Sequence, residues 1–209
     1  MQTACLLNLV RRRMHVLEVQ LNGETLALVG ASDALMFAAH LNTSIEEAGA
    51  TLGLQGMRDL GGNRTSHVNW LPFLELSHGD LVSFYFFESK TATAPIEDIA
   101  TDSEEHIAEQ AEFEEELKSN PPTTRLIEAI QPDATLQLRM PGSELITATL
   151  EGGREFIAFR ILWNQWRPEH CHMLLSSFSQ QEALVRSGRK AWFQGTLGVG
   201  ERCVVKVGA

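Results

Sequence analysis

Cysteine is scarce in this chain. Cys5, Cys171 and Cys203 are three residues at wide spacing, too few for a disulfide framework, and an odd count fits a reducing compartment. Long apolar runs are missing too. None approaches the roughly 18 residues a membrane span needs, so no membrane partner is expected. The opening stretch MQTACLLNLVRRRMHV puts its apolar residues before three arginines, the reverse of a secretory signal, and a cytoplasmic location is expected. Met14 directly precedes the first strand-like run, and residues 1–13 carry no pattern that continues into it. Met14 is therefore a candidate natural start; the alternative is a short helix or a disordered tail. The usual catalytic signatures are also absent. GASDAL and LGGNRT have glycines without the spacing that wraps a pyrophosphate, and there is no Gly-x-Ser-x-Gly, Cys-x-x-Cys or His-Glu-x-x-His. No catalytic residue and no cofactor are assigned.

What is present is enough for a sizeable core. The 209 residues fit one or two domains, with 44% hydrophobic and 21% charged residues. The charge is unevenly placed. Of a net −10, the segment from Glu88 to Lys118 carries −9, with eleven acids and two bases; the other 178 residues hold 16 acids and 15 bases.

The first half reads as β structure. HVLEVQLNGETLALVG is a hairpin whose Asn22-Gly23 pair favours a type I′ turn, since both residues tolerate positive φ. A two-residue loop there predicts Leu21 opposite Glu24, Val19 opposite Leu26 and Leu17 opposite Leu28. ALMFAAHLN alternates Leu35, Phe37, Ala39 and Leu41, and TLGLQG is a short strand. HVNWLPFLEL brings Trp70, Leu74 and Leu76 to one side, with Pro72 marking an edge or bulge. LVSFYFFES carries aromatics on both faces, the pattern of a strand buried on both sides.

The middle changes character. TATAPIED is polar, and Asp102 with Glu105 has capping-box spacing for a helix over Ser103–Lys118. On that helix Ile107, Ala111, Phe113 and Leu117 share about half the circumference, and most glutamates take the rest. Pro121-Pro122 ends it, and TTRLIEAIQ is a second short helix candidate. The second half returns to strands in TLQLRM, ELITATL, EFIAFRILW, CHMLLSSF and KAWFQGTLGVGERCVVKV, with a capping box at Ser179–Glu182 and Gly188 suited to the helix end. The halves look alike: Trp70 and Trp192 each open a strand, Gly and acid, strand series, at an offset near 121 residues. Duplication and convergence of two small sandwiches both account for this. The expected fold is mainly β, with two β-sandwich-like halves joined by an acidic helical segment. The expected organisation is an N-terminal β domain over 14–90, an acidic helical linker over 91–131 and a C-terminal β domain over 132–209.

VQLNGE, NWLPFLELSHGDLVSFYFFES and APIED together resemble the N-terminal β module of a group of small bacterial proteins found in toxin and immunity settings. The resemblance covers roughly residues 14–117 and rests on structural motifs. It implies a companion or immunity role and carries no catalytic residues across.

Three places carry candidate chemistry. His170 and His172 point to one face of a strand, as two metal ligands could, with Glu169 adjoining; the plain reading is a partly exposed strand end. WNQWRP sets Trp163 and Trp166 beside Arg167, the composition of an interaction hot spot or a sugar-stacking platform; alternatively the two rings close the core. Glu104, Glu105, Glu109, Glu112, Glu115 and Glu116 form either a solvated helix face or a docking site for a basic protein. Such a run repels phosphates, so nucleic acid is not an expected ligand. The leading functional expectation is a non-enzymatic interaction protein that neutralises a basic toxin. The alternatives are a small-molecule or carbohydrate-binding sandwich and an enzyme with a site assembled from scattered residues.

Overall fold

The structure, a computed structural model, describes residues 13–45, 49–119, 134–151, 153–185 and 187–208. The expectations for residues 1–12, for the prolines after the helix and for a helix in TTRLIEAIQ lie outside the described residues.

β1 (Met14–Leu21) and β2 (Glu24–Val29) form the first hairpin. Asn22 and Gly23 take φ of 52° and 90°, as a type I′ turn requires. Leu21 pairs with Glu24 as expected. A bulge between Val19 and Gln20 then moves the register, so Val19 faces Ala27 and Leu17 faces Val29. Ala27 and Val29 are therefore the buried residues of β2, in place of Leu26 and Leu28. Replacing Gly23 with Val is expected to cost about 1 kcal/mol or more, because a Cβ there meets nothing within 4 Å and the whole penalty is the positive φ. Urea unfolding measures it, and an unchanged midpoint would refute the turn.

Next come β3 (Ala34–Ser44), β4 (Ala50–Gly61), β5 (Arg64–Leu76) and β6 (Leu81–Ser89). Phe37, Ala39 and Leu41 are buried, as their alternation predicts. In β6, Phe84 and Phe86 are fully buried, while Tyr85 and Phe87 stack on each other, half-buried, on the opposite face. A short strand unforeseen in the polar TATAPIED region, β7 (Glu97–Ala100), pairs with Ser66–Asn69 of β5. The acidic helix α1 (Glu104–Ser119) follows. The second half supplies β8 (Thr135–Arg139), β9 (Ile146–Thr149), β10 (Phe156–Asn164), β11 (His170–Phe178), the short helix α2 (Gln180–Leu184), β12 (Lys190–Gly198) and β13 (Arg202–Gly208). The box opening α2 forms in full: Ser179 Oγ accepts from the Glu182 N–H, and Glu182 accepts from the Ser179 N–H.

The two halves do not stand apart as expected. One sheet has the order β2-β1-β6-β13-β8-β9, the other β12-β11-β10-β3-β4-β5-β7. The halves join in the middle of each sheet, β6 to β13 and β3 to β10, both antiparallel. Buried side chains of both sheets and both halves form one core, with Phe84 of the first sheet 5.6 Å from Phe159 of the second. The reason is edge chemistry. β3 and β6 each carry a free row of backbone donors and acceptors that only the other half satisfies.

β7 aside, exchanging β1–β6 for β8–β13 leaves both strand orders unchanged. The match extends to irregularities. Leu54 pairs with Leu71 and Gln55 with Asn69, so Trp70 is the extra residue of a β-bulge. Leu175 pairs with Phe193 and Ser176 with Ala191, so Trp192 is the extra residue of another, in the equivalent strand. A second bulge in β5 sits at Pro72, where β7 no longer covers the edge.

Candidate interaction surfaces

The acidic segment divides into two parts with different surroundings. Its first part is tied to the sheet. Arg58 of β4 binds Asp33, at 2.7 Å and 2.9 Å, and also Asp98 of β7. Arg64 of β5 takes both oxygens of Asp102 at 2.7 Å and 3.1 Å, and Asn69 donates to Glu97 at 3.3 Å. The guanidiniums hold the Asp33 and Asp102 carboxyls below their ordinary range, chiefly by hydrogen bonding. Asp102 is thus an ion-pair partner rather than the helix cap. The cap is Ser103, whose Oγ accepts from the His106 N–H at 3.2 Å.

The second part is α1. Glu104, Glu109, Glu112 and Glu115 are exposed; Glu105 and Glu116 lie on the same helix, their side chains outside the described set. Lys118 reaches Glu114 at 3.8 Å. The apolar stripe does not pack against the sheets where it is described: Ile107 is 56% exposed and Ala111 is exposed. Phe113 and Leu117 lie outside the described side chains. One described ring contact ties α1 to β5, His106 against His67, with centroids 5.0 Å apart. Burial first, and then His106, holds the His67 imidazole below its usual range.

The WNQWRP segment separates its two tryptophans. Trp163, 6% exposed, stacks on Phe37 at 4.8 Å, and its indole N–H donates to the Pro168 carbonyl at 3.1 Å. It therefore offers no face to a partner beside Trp166. Trp166 is 71% exposed and Arg167 is exposed as well. The Asn164 side-chain oxygen accepts from both of their backbone N–H groups, at 3.2 Å each, fixing the turn that holds Trp166 outward.

His170 and His172 share a face as their spacing predicts, edge to face at 4.8 Å. Among the described residues no group of three metal-ligating side chains forms, there or elsewhere. Burial, then His170 and Arg167, lowers the His172 proton affinity. Cys171 between them points inward and is fully buried. Burial, followed by the nearby Cys203, pushes its thiol well above the ordinary range, which makes it a small apolar side chain rather than a nucleophile.

A surface that sequence reasoning missed is the outward face of the seven-stranded sheet. Its residues come from six strands spread over both halves, so only the register brings them together. Arg160 of β10 lies opposite His40 of β3, and Gln55 of β4 bonds the His40 imidazole at 3.1 Å. Burial and then Arg160 hold His40 below its usual range. No helix in the described residues is long and apolar enough to cross a membrane. The chain matches no family model, no curated protein and no solved structure.

Proposed function

We propose that the chain is a non-enzymatic, cytoplasmic interaction protein whose helix α1 docks on a basic protein, as an immunity protein docks on a toxin it neutralises. One observation carries this reading: α1 exposes Ile107 and Ala111 together with its glutamates, so neither its apolar nor its acidic side chains are used by the sheets where they are described. Arg58 and Arg64 already hold Asp98 and Asp102, and Lys118 pairs with Glu114, which leaves the exposed Glu104, Glu109, Glu112 and Glu115 for another protein's cations. The two-sheet body is read as a β-sandwich built by internal duplication. The exchangeable strand orders and the matching bulges at Trp70 and Trp192 support that reading.

Changing Glu104, Glu105, Glu109, Glu112, Glu115 and Glu116 to Gln keeps side-chain size and removes the charge. The variant should melt within a few degrees of the parent. Its capture of the native partner should weaken, mainly through slower association at low salt, where the attraction reaches beyond the ~8 Å screening length of physiological ionic strength. Equal association rates for variant and parent at low salt would exclude α1 as the docking element.

A further inference from the structure

We propose that the outward face of the seven-stranded sheet binds an acidic oligosaccharide of the uronic-acid type, along a track crossing the strands from β12 to β5. The reading is independent of the helix and concerns the opposite sign of charge.

Two registered rows of side chains define the track. One runs Thr196, His172, Leu162, Ala38, Gln55, Asn69. The next runs Gln194, Leu174, Arg160, His40, Gly53. In a chain of net charge −10, neither row contains a carboxylate between β12 and β5; the first meets one, Glu97 of β7, only beyond Asn69. Arg160 is exposed, and its electrostatic neighbour is His40; among the described residues no carboxylate forms an ion pair with it. An unpaired, planar guanidinium is suited to bidentate capture of a carboxylate.

The walls suit sugar. A groove of about 240 Å³ includes His40, Asn42, Gln55, Asn69 and Phe73, and one of about 270 Å³ on the other side of the sheet's midline includes Arg160, His172 and Gln194. Gln55 and Asn69 use their N–H groups on His40 and Glu97, which leaves their carbonyl oxygens to accept from hydroxyls. Phe73 is 73% exposed, and its ring lies over Gly53, where an added Cβ would come within 3.2 Å of it. An exposed aromatic face beside neutral amides is what the C–H face and hydroxyls of a sugar ring recognise. From β10 to β5 is three strand spacings, about 14 Å, the reach of a short oligosaccharide.

The test is calorimetric titration of the full chain at low salt with carboxylated trisaccharides (galacturonate, mannuronate and glucuronate) and with galactotriose as the uncharged control. At least one carboxylated member should bind saturably and galactotriose at least tenfold more weakly. Arg160→Gln and Phe73→Ala should each lower that affinity at least tenfold while leaving the melting temperature in place, since both side chains are exposed. The six-Gln helix variant should bind the sugar like the parent. No saturable heat with any carboxylated member overturns the proposal. So does equal binding of galactotriose, or affinity unchanged in both Arg160→Gln and Phe73→Ala.

Discussion

Produced separately, residues 14–119 and residues 134–208 should each fail to give a folded monomer, and co-expression should restore the fold. In the intact chain β3 pairs with β10 from Met36–Asn164 to Ser44–Phe156, and β6 pairs with β13 from Leu81–Lys206 to Tyr85–Arg202. Each half alone would present two long unpaired edges with Val, Ile and Phe side chains beside them, a template for aggregation rather than for a soluble sheet. Each would also expose half of a core that is continuous across the molecule. Amide dispersion in NMR spectra and cooperative urea unfolding of each fragment decide the matter. A fragment that unfolds cooperatively as a monomer would show that a half carries its own core after all.

Phe159→Ala should remove about 3–5 kcal/mol of stability. Phe159 is fully buried, sits opposite Leu41 in the β3–β10 ladder and lies against Phe84 of the facing sheet, so truncation opens a cavity where both halves and both sheets meet. A domain of ordinary stability has ~5–15 kcal/mol in total, so the loss is a large share of it. Trp166→Ala is the control: that ring is exposed, and its removal should change stability by no more than about 0.5 kcal/mol. Chemical denaturation of both variants gives the comparison. A Phe159→Ala loss under about 1 kcal/mol would mean the site collapses around the gap.

The local architecture was largely legible in the sequence. The Asn22-Gly23 turn, the alternation of Phe37, Ala39 and Leu41, the irregularity at Pro72 and the capping box at Ser179 are set by neighbours within a few residues, and each formed. The first hairpin shows the limit. Its turn was readable, but the bulge at Val19 that buries Ala27 over Leu26 answers to packing against the second sheet. Strand β7 was hidden for the same reason: Glu97 and Asp98 favour a loop until Ser66–Asn69 offers them a ladder and Arg58 an ion pair. Near-equal strand sets read as two cores, and nothing local in the sequence says that two open edges will close on each other. Of the surfaces, the helix was visible as a charge run. The track around Arg160 and His40 was not, since those residues lie 120 positions apart and meet only through the β3–β10 register.

The interlocked strand order also bears on synthesis. The ribosome releases β1 to β6 well before β10 and β13, so the first half waits with β3 and β6 uncovered while the rest is being made. Contacts between residues this far apart in the chain form slowly. What emerges during that wait is the segment with nine of the ten net negative charges. Like charges repel, which opposes contact between the open edges of neighbouring nascent chains.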